Sequence, residues 1–495
     1  MIRVSNCKLV GLLAVCLVAS MVSCGQSNQA SQSTAMKVEP IKFAIAQAPL
    51  NLDPRYATDA ASERVNRLIY RSLIDFDAAA KPKPDLAAWV EISSKHYRFK
   101  LLRPSSTFHN QMPLTAQDVV ATYQSFSQLK DSPHSAEFAN ISRVEALNDG
   151  VVDFYLVQAD NNFVSKLIIG ILPSALIKAN HDFAHDPIGS GPLKFILWKN
   201  NLQLQRIADQ QDFVLSEVKD PTVRVLKLMR GEADLLQGDL PPELVKYLQK
   251  QNNINVQNSI GANFSYIGFN MRDAILNKQA VREAIAHAID RNAIIQQAML
   301  AGSRQAGAIL PPEHWAGNPN LSPYDYNPKL ARELLQSAGI KLPLKLVYKT
   351  STDAQRVRLA TMIQAQMKQA GIDLEIRSLD WGTFFSDIKQ GNFQLYGLTW
   401  VGIKTPEIYP KAFGSAFIPP LGANRGHYVD STLDKLLNVQ NWPAATQRIQ
   451  AQLPVIPLWY EGQFVAMQSN LQHYTSKPDG NWDDLGQISF KNSNK

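Results

Sequence analysis

Segments with strand periodicity and segments with helix periodicity alternate along this chain from about residue 41 to residue 460. Residues 263–271 are apolar on both faces, as buried strands in mixed sheets are. Residues 353–379 show a helical pattern that stops at Gly371 and passes directly into a strand pattern. Such alternation predicts the α/β class. No internal repeat of the solenoid kind interrupts it.

Three helix starts are predicted from local patterns. Residues 62–76 place apolar side chains at helical spacing, with Ser62 as the expected N-cap. Thr115, followed three residues later by Asp118, predicts a variant of the capping box at the start of another helix. Residues 279–295 predict a single helix with one apolar stripe.

The N-terminus has the pattern of an export signal. Arg3 and Lys8 precede an apolar run over residues 9–22, which is shorter than the roughly 20 residues of a membrane-spanning helix. We therefore predict a signal peptide over residues 1–23 and a flexible tether over residues 24–37. No second run of that length follows, so the mature body is predicted to be soluble.

The apolar run ends with Met-Val-Ser-Cys at residues 21–24, which resembles a bacterial lipobox. This resemblance implies that Cys24 is lipidated and becomes the first residue of the mature protein. Cys7 and Cys16 lie in the removed segment, so no disulfide framework is expected. The alternative is an ordinary secretory signal with an incidental cysteine.

Charge and motifs argue against several function classes. The formal net charge is +7, but the basic residues are scattered, which does not favour nucleic-acid binding. No nucleophile elbow, phosphate-binding loop or zinc motif occurs, so no catalytic residue and no cofactor is predicted. His181 and His185 are spaced like two metal ligands, but their segment runs into Pro187 and is better explained as a polar turn. No metal site is predicted.

Several stretches, in the same order along the chain, resemble family 5 extracytoplasmic solute-binding proteins. These proteins are the oligopeptide- and dipeptide-binding components of ABC importers. The resemblance covers roughly residues 40–490, with Asn110 and Gln111 standing where the family usually has Asp-Gly. The stretches that carry it are residues 50–77, 108–126, 188–198, 280–295, 326–339 and 454–460.

The resemblance implies a periplasmic-binding-protein fold of the clamshell type, class II-like, with two main lobes and an additional small lobe. Hinges are expected near residues 188–192 and 263–270, where Gly189, Gly191 and Gly268 are predicted to adopt backbone angles that favour glycine. The predicted lobes are lobe I at 38–70 with 186–262 and 457–495, lobe II at 71–185, and lobe III at 263–456.

The implied function is that of a receptor, not an enzyme. Lobes I and III would clamp a peptide or peptide-like solute and deliver it to a membrane permease with its ATPase. The resemblance further implies a monomer that is lipid-anchored on the periplasmic or cell-surface side of a bacterial membrane and binds no nucleic acid. The alternatives are a sensor or chaperone-like protein on the same fold, a receptor for a non-peptide solute, and an extracytoplasmic hydrolase.

The same resemblance implies where the ligand binds. The strand that ends at Trp400 would offer backbone groups to an extended ligand, and Trp400 is predicted to form an apolar wall of the pocket rather than part of the core. The implied ligand-binding residues are Thr58, Asp59, Ala60, Trp400, Val401, Gly402, Ile403, Lys404 and Tyr428.

One position departs from the family pattern. In peptide-binding relatives an aspartate three residues after the tryptophan pairs with the α-ammonium of the peptide, whereas this chain has Ile403 followed by Lys404. A buried ammonium without a carboxylate is costly, so an ordinary peptide N-terminus should be disfavoured there. Asp59, or less plausibly Glu407, would supply a substitute carboxylate. Otherwise the ligand is blocked, non-peptidic or anionic at that end and pairs with Lys404, unless Lys404 points to solvent.

Overall fold

The computed structural model describes residues 39–77, 79–103, 106–129, 131–238 and 240–491. The predicted signal peptide, tether and lipidated Cys24 lie outside the described residues. Within these ranges, no helix combines the length and the apolar character that crossing a membrane requires.

The strands, in chain order, are β1 Ile41–Ile45, β2 Ile74–Phe76, β3 Pro82–Pro84, β4 Ala87–Ser93, β5 His96–Leu101, β6 Ile141–Asn148, β7 Val151–Leu156, β8 Leu193–Trp198, β9 Leu202–Arg206, β10 Asp212–Glu217, β11 Leu235–Gln237, β12 Ile254–Phe269, β13 Arg304–Gln305, β14 Leu344–Ser351, β15 Ile372–Leu379, β16 Leu395–Trp400, β17 Val455–Gln468, β18 Leu471–Gln472 and β19 Ser489–Phe490.

The α-helices are α1 Ala60–Ile69, α2 Ala116–Ser125, α3 Ser135–Phe138, α4 Ser174–Lys178, α5 Pro221–Met229, α6 Pro242–Leu248, α7 Gln279–His287, α8 Arg291–Ala298, α9 Pro328–Ser337, α10 Ala354–Gln369, α11 Trp381–Gln390, α12 Ile408–Phe413, α13 Ser431–Asn438 and α14 Trp442–Gln452. Short 3-10 turns occur at Val164–Lys166, Ser415–Phe417 and Asp483–Gly486. The predicted α/β class is confirmed.

The predicted N-cap of α1 is wrong. Asp59, not Ser62, caps this helix, and its carboxylate accepts from the Ser62 N–H at 2.9 Å. The helix also ends at Ile69, and the last residues of the predicted helix form β2 instead. At α2 the prediction is confirmed, because Asp118 Oδ2 accepts from the Thr115 N–H at 2.7 Å.

The single helix predicted over residues 279–295 is wrong, since the structure divides it into α7 and α8. Asp290 starts the second helix by accepting from the Ala293 N–H at 2.9 Å. The Arg291 side chain donates to the carbonyls of Ala286 and Ile289, both at 3.3 Å, and so provides partners where the helix is interrupted.

One large sheet has the strand order β15-β14-β16-β12-β17-β11-β1-β10-β9-β8, with β13 paired to β17 at one side. The central strands β12 and β17 are antiparallel: β12 runs from the predicted lobe I into the predicted lobe III, and β17 runs back. Their register is irregular between Ser259 and Asn263. A separate sheet of order β4-β5-β7-β6 lies in the predicted lobe II.

Three glycines pack tightly where the paired strands β12 and β17 pass from one predicted lobe to the other. This place, around Gly261 and Glu461, is called the crossing of β12 and β17 below. A Cβ on Gly261 would lie 1.4 Å from the carbonyl oxygen of Glu461, and one on Gly462 would lie 2.4 Å from that of Ala301. Gly302 has a φ of 87° and approaches the Ser259 carbonyl just as closely. Glycine is therefore required here for close contact of backbones.

The predicted hinge glycines do not adopt backbone angles that favour glycine. The φ angles of Gly189, Gly191 and Gly268 are not positive. Glycine is needed at these three positions because a side chain would not fit. A Cβ on Gly189 or Gly191 would meet backbone atoms of residues 68 and 69, and one on Gly268 would meet the Tyr396 ring at 2.3 Å.

The buried apolar side chains form separate clusters along the chain. One cluster extends from Leu73 to Ile171 and lies within the predicted lobe II. Two clusters combine residues between 41 and 70 with later residues up to 488. Two others lie between residues 264 and 460, and the largest fully buried side chain, Trp459, belongs to one of them.

Candidate functional site

The carboxyl ends of two groups of parallel strands face each other across the crossing of β12 and β17. On one side, β14 is parallel to both β15 and β16, and Trp400 at the end of β16 pairs with Phe264 next to the crossing. On the other side, β1 is parallel to β10 and β11, and β11 ends at Gln237 opposite Val465. Ligands of open α/β sheets bind beyond the carboxyl ends of the strands. The space between these two edges, called the cleft below, is therefore the candidate site.

Trp400 is half-buried in the wall of the cleft on the lobe III side. Its ring stacks on Tyr266 at a centroid distance of 6.4 Å and an interplanar angle of 11°. It also packs against the apolar cluster that contains Tyr396 and Phe413. Trp400 and Tyr428 line one small cavity of about 20 Å³, so the structure brings these two predicted site residues together.

Tyr428 is almost fully buried and its hydroxyl donates to Asp430 Oδ2 at 2.7 Å. Burial, together with this hydrogen bond, raises the pKa of Tyr428. The buried Tyr428 ring therefore lines the cavity beside Trp400. Because its pKa is raised, the Tyr428 hydroxyl stays neutral at physiological pH.

The loop after Trp400 turns toward the predicted lobe I. Val401 is 39% exposed, and the Gly402 N–H donates to Asn263 Oδ1 at 3.1 Å. Gly402 has a φ of 69°, and apart from its chain neighbours no atom of the described residues lies within 4 Å of the Cβ that another residue would add. Ile403 is partly buried against the same cluster as Trp400.

Lys404 does not point to solvent, so that alternative is wrong. Its Nζ lies 2.9 Å from Asp479 Oδ2, and its side chain is 21% exposed. Lys404 and Arg67 hold the pKa of the Asp479 carboxyl below its usual range despite burial. The charge of Lys404 is therefore largely neutralised within the protein, across the predicted boundary between lobes III and I.

The predicted segment on the lobe I side lies at the start of α1. Thr58 is exposed, while Asp59 and Ala60 are partly exposed. Both carboxylate oxygens of Asp59 accept from Ser62, one from its N–H at 2.9 Å and one from its hydroxyl at 2.5 Å. Asp59 therefore has a structural role as an N-cap.

Glu407 differs from Asp59 in having a buried oxygen, Oε2, with no hydrogen-bond partner among the described residues. Burial raises the pKa of the Glu407 carboxyl, and the Thr405 side chain partly opposes this shift. Asp59 and Glu407 are the two carboxylates predicted to pair with a ligand ammonium in place of the missing aspartate. Glu407 has an oxygen that accepts no hydrogen bond from the described residues, whereas both oxygens of Asp59 accept from Ser62.

A group of charged residues that the sequence analysis missed joins the three predicted lobes. Glu63 of α1 is exposed by area, yet desolvation by the surrounding protein raises the pKa of its carboxyl to about 7. Nearby, Glu137 forms an ion pair with Lys411 and lies 4.0 Å from His134 Nδ1. A solvent-accessible group that is nevertheless enclosed by protein is expected in the wall of a deep cleft.

An ion pair between Glu461 and Arg356, which was also not predicted from the sequence, lies at the crossing itself. Glu461 of β17 accepts from Arg356 of α10 at 2.5 Å, from Ser265 at 2.5 Å and from Thr399 at 3.0 Å. Arg356 lowers the pKa of this carboxyl although burial opposes the shift. The pair connects the helix after β14 to the strand that enters the predicted lobe I.

Sequence comparison identifies the relatives of this chain. The model of the bacterial extracellular solute-binding proteins, family 5, matches residues 81–416. The oligopeptide-binding protein AppA of Bacillus subtilis is 25% identical over 480 residues, which cover 87% of this chain and 88% of that protein. The heme-binding protein A of Haemophilus influenzae is 24% identical over 524 residues, which cover 93% and 95% of the two chains.

Structural comparison agrees with the sequence matches. The periplasmic binding protein DppA of Helicobacter pylori, solved in complex with the peptide STSA and described as ABC transporter-associated, superposes with a TM-score of 0.80. It is 25% identical to this chain, and the alignment covers 92% of this chain and 98% of that one.

Proposed function

Because the chain belongs to family 5 of the bacterial extracellular solute-binding proteins, we propose that it is the solute receptor of an ABC importer and binds a peptide or peptide-like solute in the cleft. The observation that carries this proposal is that the carboxyl ends of two groups of strands face each other across the cleft. Trp400 forms the wall of the cleft on one of these sides. The names of AppA and DppA support a peptide as ligand and an importer as partner.

A non-peptide solute is the second candidate. It is favoured by the absence of a carboxylate at Ile403. The similarity to heme-binding protein A, which matches about as well as AppA, supports it too. Mass spectrometry of the ligand that co-purifies with the native protein separates a peptide from any other solute.

We further propose that the predicted lobes I and III move relative to each other about the crossing of β12 and β17. The separate apolar clusters support such a division. The ion pairs Lys404–Asp479 and Arg358–Glu243, at 2.9 Å and 2.8 Å, connect the two edges of the cleft. A solute that contacts both edges would favour the closed arrangement to the extent of those contacts.

Ligand binding should therefore stabilise and compact the protein. At a ligand concentration a hundredfold above Kd, the free energy of unfolding should rise by about 2.7 kcal/mol. The measurement is a thermal melt with and without the identified ligand, together with small-angle scattering. Stabilisation without compaction would contradict the clamping proposal. Cleavage of the ligand by the purified protein would instead favour a hydrolase, and binding without any effect on cellular uptake would favour a sensor.

The membrane attachment proposed for Cys24 makes a separate prediction. A Cys24→Ser variant should lose the lipid and appear in the soluble fraction, because the other two cysteines, Cys7 and Cys16, lie within the predicted signal peptide. The measurement is fractionation after a salt wash, with ligand-dependent melting of the released protein as a folding control. A variant that stays with the membrane would show that the lipobox interpretation is wrong.

A further inference from the structure

Arg425 differs from the other cations at the cleft in its partners. Lys404 is paired with Asp479, and Lys411 with Glu137. For Arg425, by contrast, no Asp or Glu oxygen among the described residues lies within ion-pair distance of the guanidinium. A half-buried guanidinium without an anion is energetically unfavourable unless another group compensates it.

Aromatic rings hold this guanidinium in place. Its Cζ lies 4.6 Å from the centroid of the Trp400 ring and 5.3 Å from that of the Phe385 ring. Its Nη1 donates to the Tyr266 hydroxyl at 3.0 Å. Cation–π contacts and hydrogen bonds with Tyr266 and Tyr396 orient the group, but among the described residues they leave most of its five N–H donors available.

The two rings around Arg425 place its guanidinium at the edge of the cleft. Trp400 is the last residue of β16, and α11, which carries Phe385, starts two residues after the end of β15. Both rings thus lie at the carboxyl edge of the lobe III strands, beside the loop that contacts Asn263 and Asp479. This is the edge at which a solute in the cleft would lie.

From this geometry we propose that Arg425 binds a carboxylate of the solute on the lobe III side of the cleft. The inference rests on the proposed function as a solute receptor and narrows its ligands to those that present an anionic, planar group at that wall. A planar guanidinium matches a carboxylate through two parallel hydrogen bonds. Lys404, the partner expected from the sequence for an anionic ligand end, is already occupied by Asp479.

The test uses two matched pools of tripeptides, one with free C-terminal carboxylates and one with C-terminal amides. The full-length protein should bind the free-acid pool about tenfold or more tightly, the usual range for a hydrogen-bonded ion pair. Arg425→Gln should lose this preference and still bind the amidated pool, which also shows that the variant is folded. Lys389→Gln removes another cation, 5.3 Å from the same Phe385 ring, and should retain the preference.

Equal binding of both pools by the wild type, or an unchanged preference in Arg425→Gln, would overturn the inference while the proposed receptor function stands. Binding of neither pool would reject both the inference and a peptide ligand. If Arg425→Gln does not fold, Arg425→Lys decides the question. It keeps the charge but not the planar pair of donors, so its preference for the free-acid pool should be weaker, and an unweakened preference would overturn the inference.

Discussion

Gly261→Ala should destabilise the protein by about 3 kcal/mol or more, because overpacking against backbone cannot be relieved by side-chain rotation. The added Cβ would lie 1.4 Å from the Glu461 carbonyl oxygen, so β12 and β17 would have to separate where they cross between the predicted lobes. The measurement is the midpoint of denaturant unfolding compared with that of the wild type.

Gly150→Ala is the matched control for this change. Gly150 lies in the turn between β6 and β7, and the nearest atom to its added Cβ is the Asn148 side-chain oxygen at 3.7 Å. This variant should unfold within about 0.5 kcal/mol of the wild type. Equal stabilities of Gly261→Ala and Gly150→Ala would show that the crossing yields easily and that close packing there is unimportant.

Trp400→Ala should weaken binding of the co-purified ligand by roughly thirtyfold, which corresponds to about 2 kcal/mol for the loss of a large aromatic contact. The substitution removes the wall of the cleft and one of the two rings that orient Arg425. The measurement is a calorimetric titration after the bound ligand has been removed by unfolding and refolding.

Trp198→Ala serves as the control for loss of a half-buried tryptophan outside the cleft, since Trp198 ends β8 at the far side of the large sheet. It should bind the ligand as the wild type does. A folded Trp400→Ala variant with wild-type affinity would mean that Trp400 is simply part of the core, the alternative reading of this position.

The class of the fold was predictable because periodicity is a local property. The α2 capping box and the strand that ends at Trp400 depend on residues a few positions apart, and both appear in the structure. The misplaced cap of α1 is a local error of the same kind. Ser62 and Asp59 are both good N-caps, and only the observed hydrogen bond identifies Asp59.

The electrostatics of the cleft were not predictable, because they depend on residues that are distant in sequence. Lys404 and Asp479 are 75 positions apart in the sequence, and they form an ion pair only because the pairing of β12 with β17 brings the two sheet edges together. The same holds for Arg425 on Trp400 and for the close approach of Gly261 to Glu461. Local patterns indicate which residues are charged or small, but not which partners the topology gives them.

The pairing of β1 also determines the order in which the protein can fold. The apolar cluster between Leu73 and Ile171 comes from one continuous stretch and can form while the chain is still being synthesised. In contrast, β1 pairs with β10 and β11, which come much later in the chain, and β11 pairs in turn with the late strand β17. Strand β1 can therefore pair only after β10 and β11 have been synthesised, and one edge of β11 stays open until β17 follows.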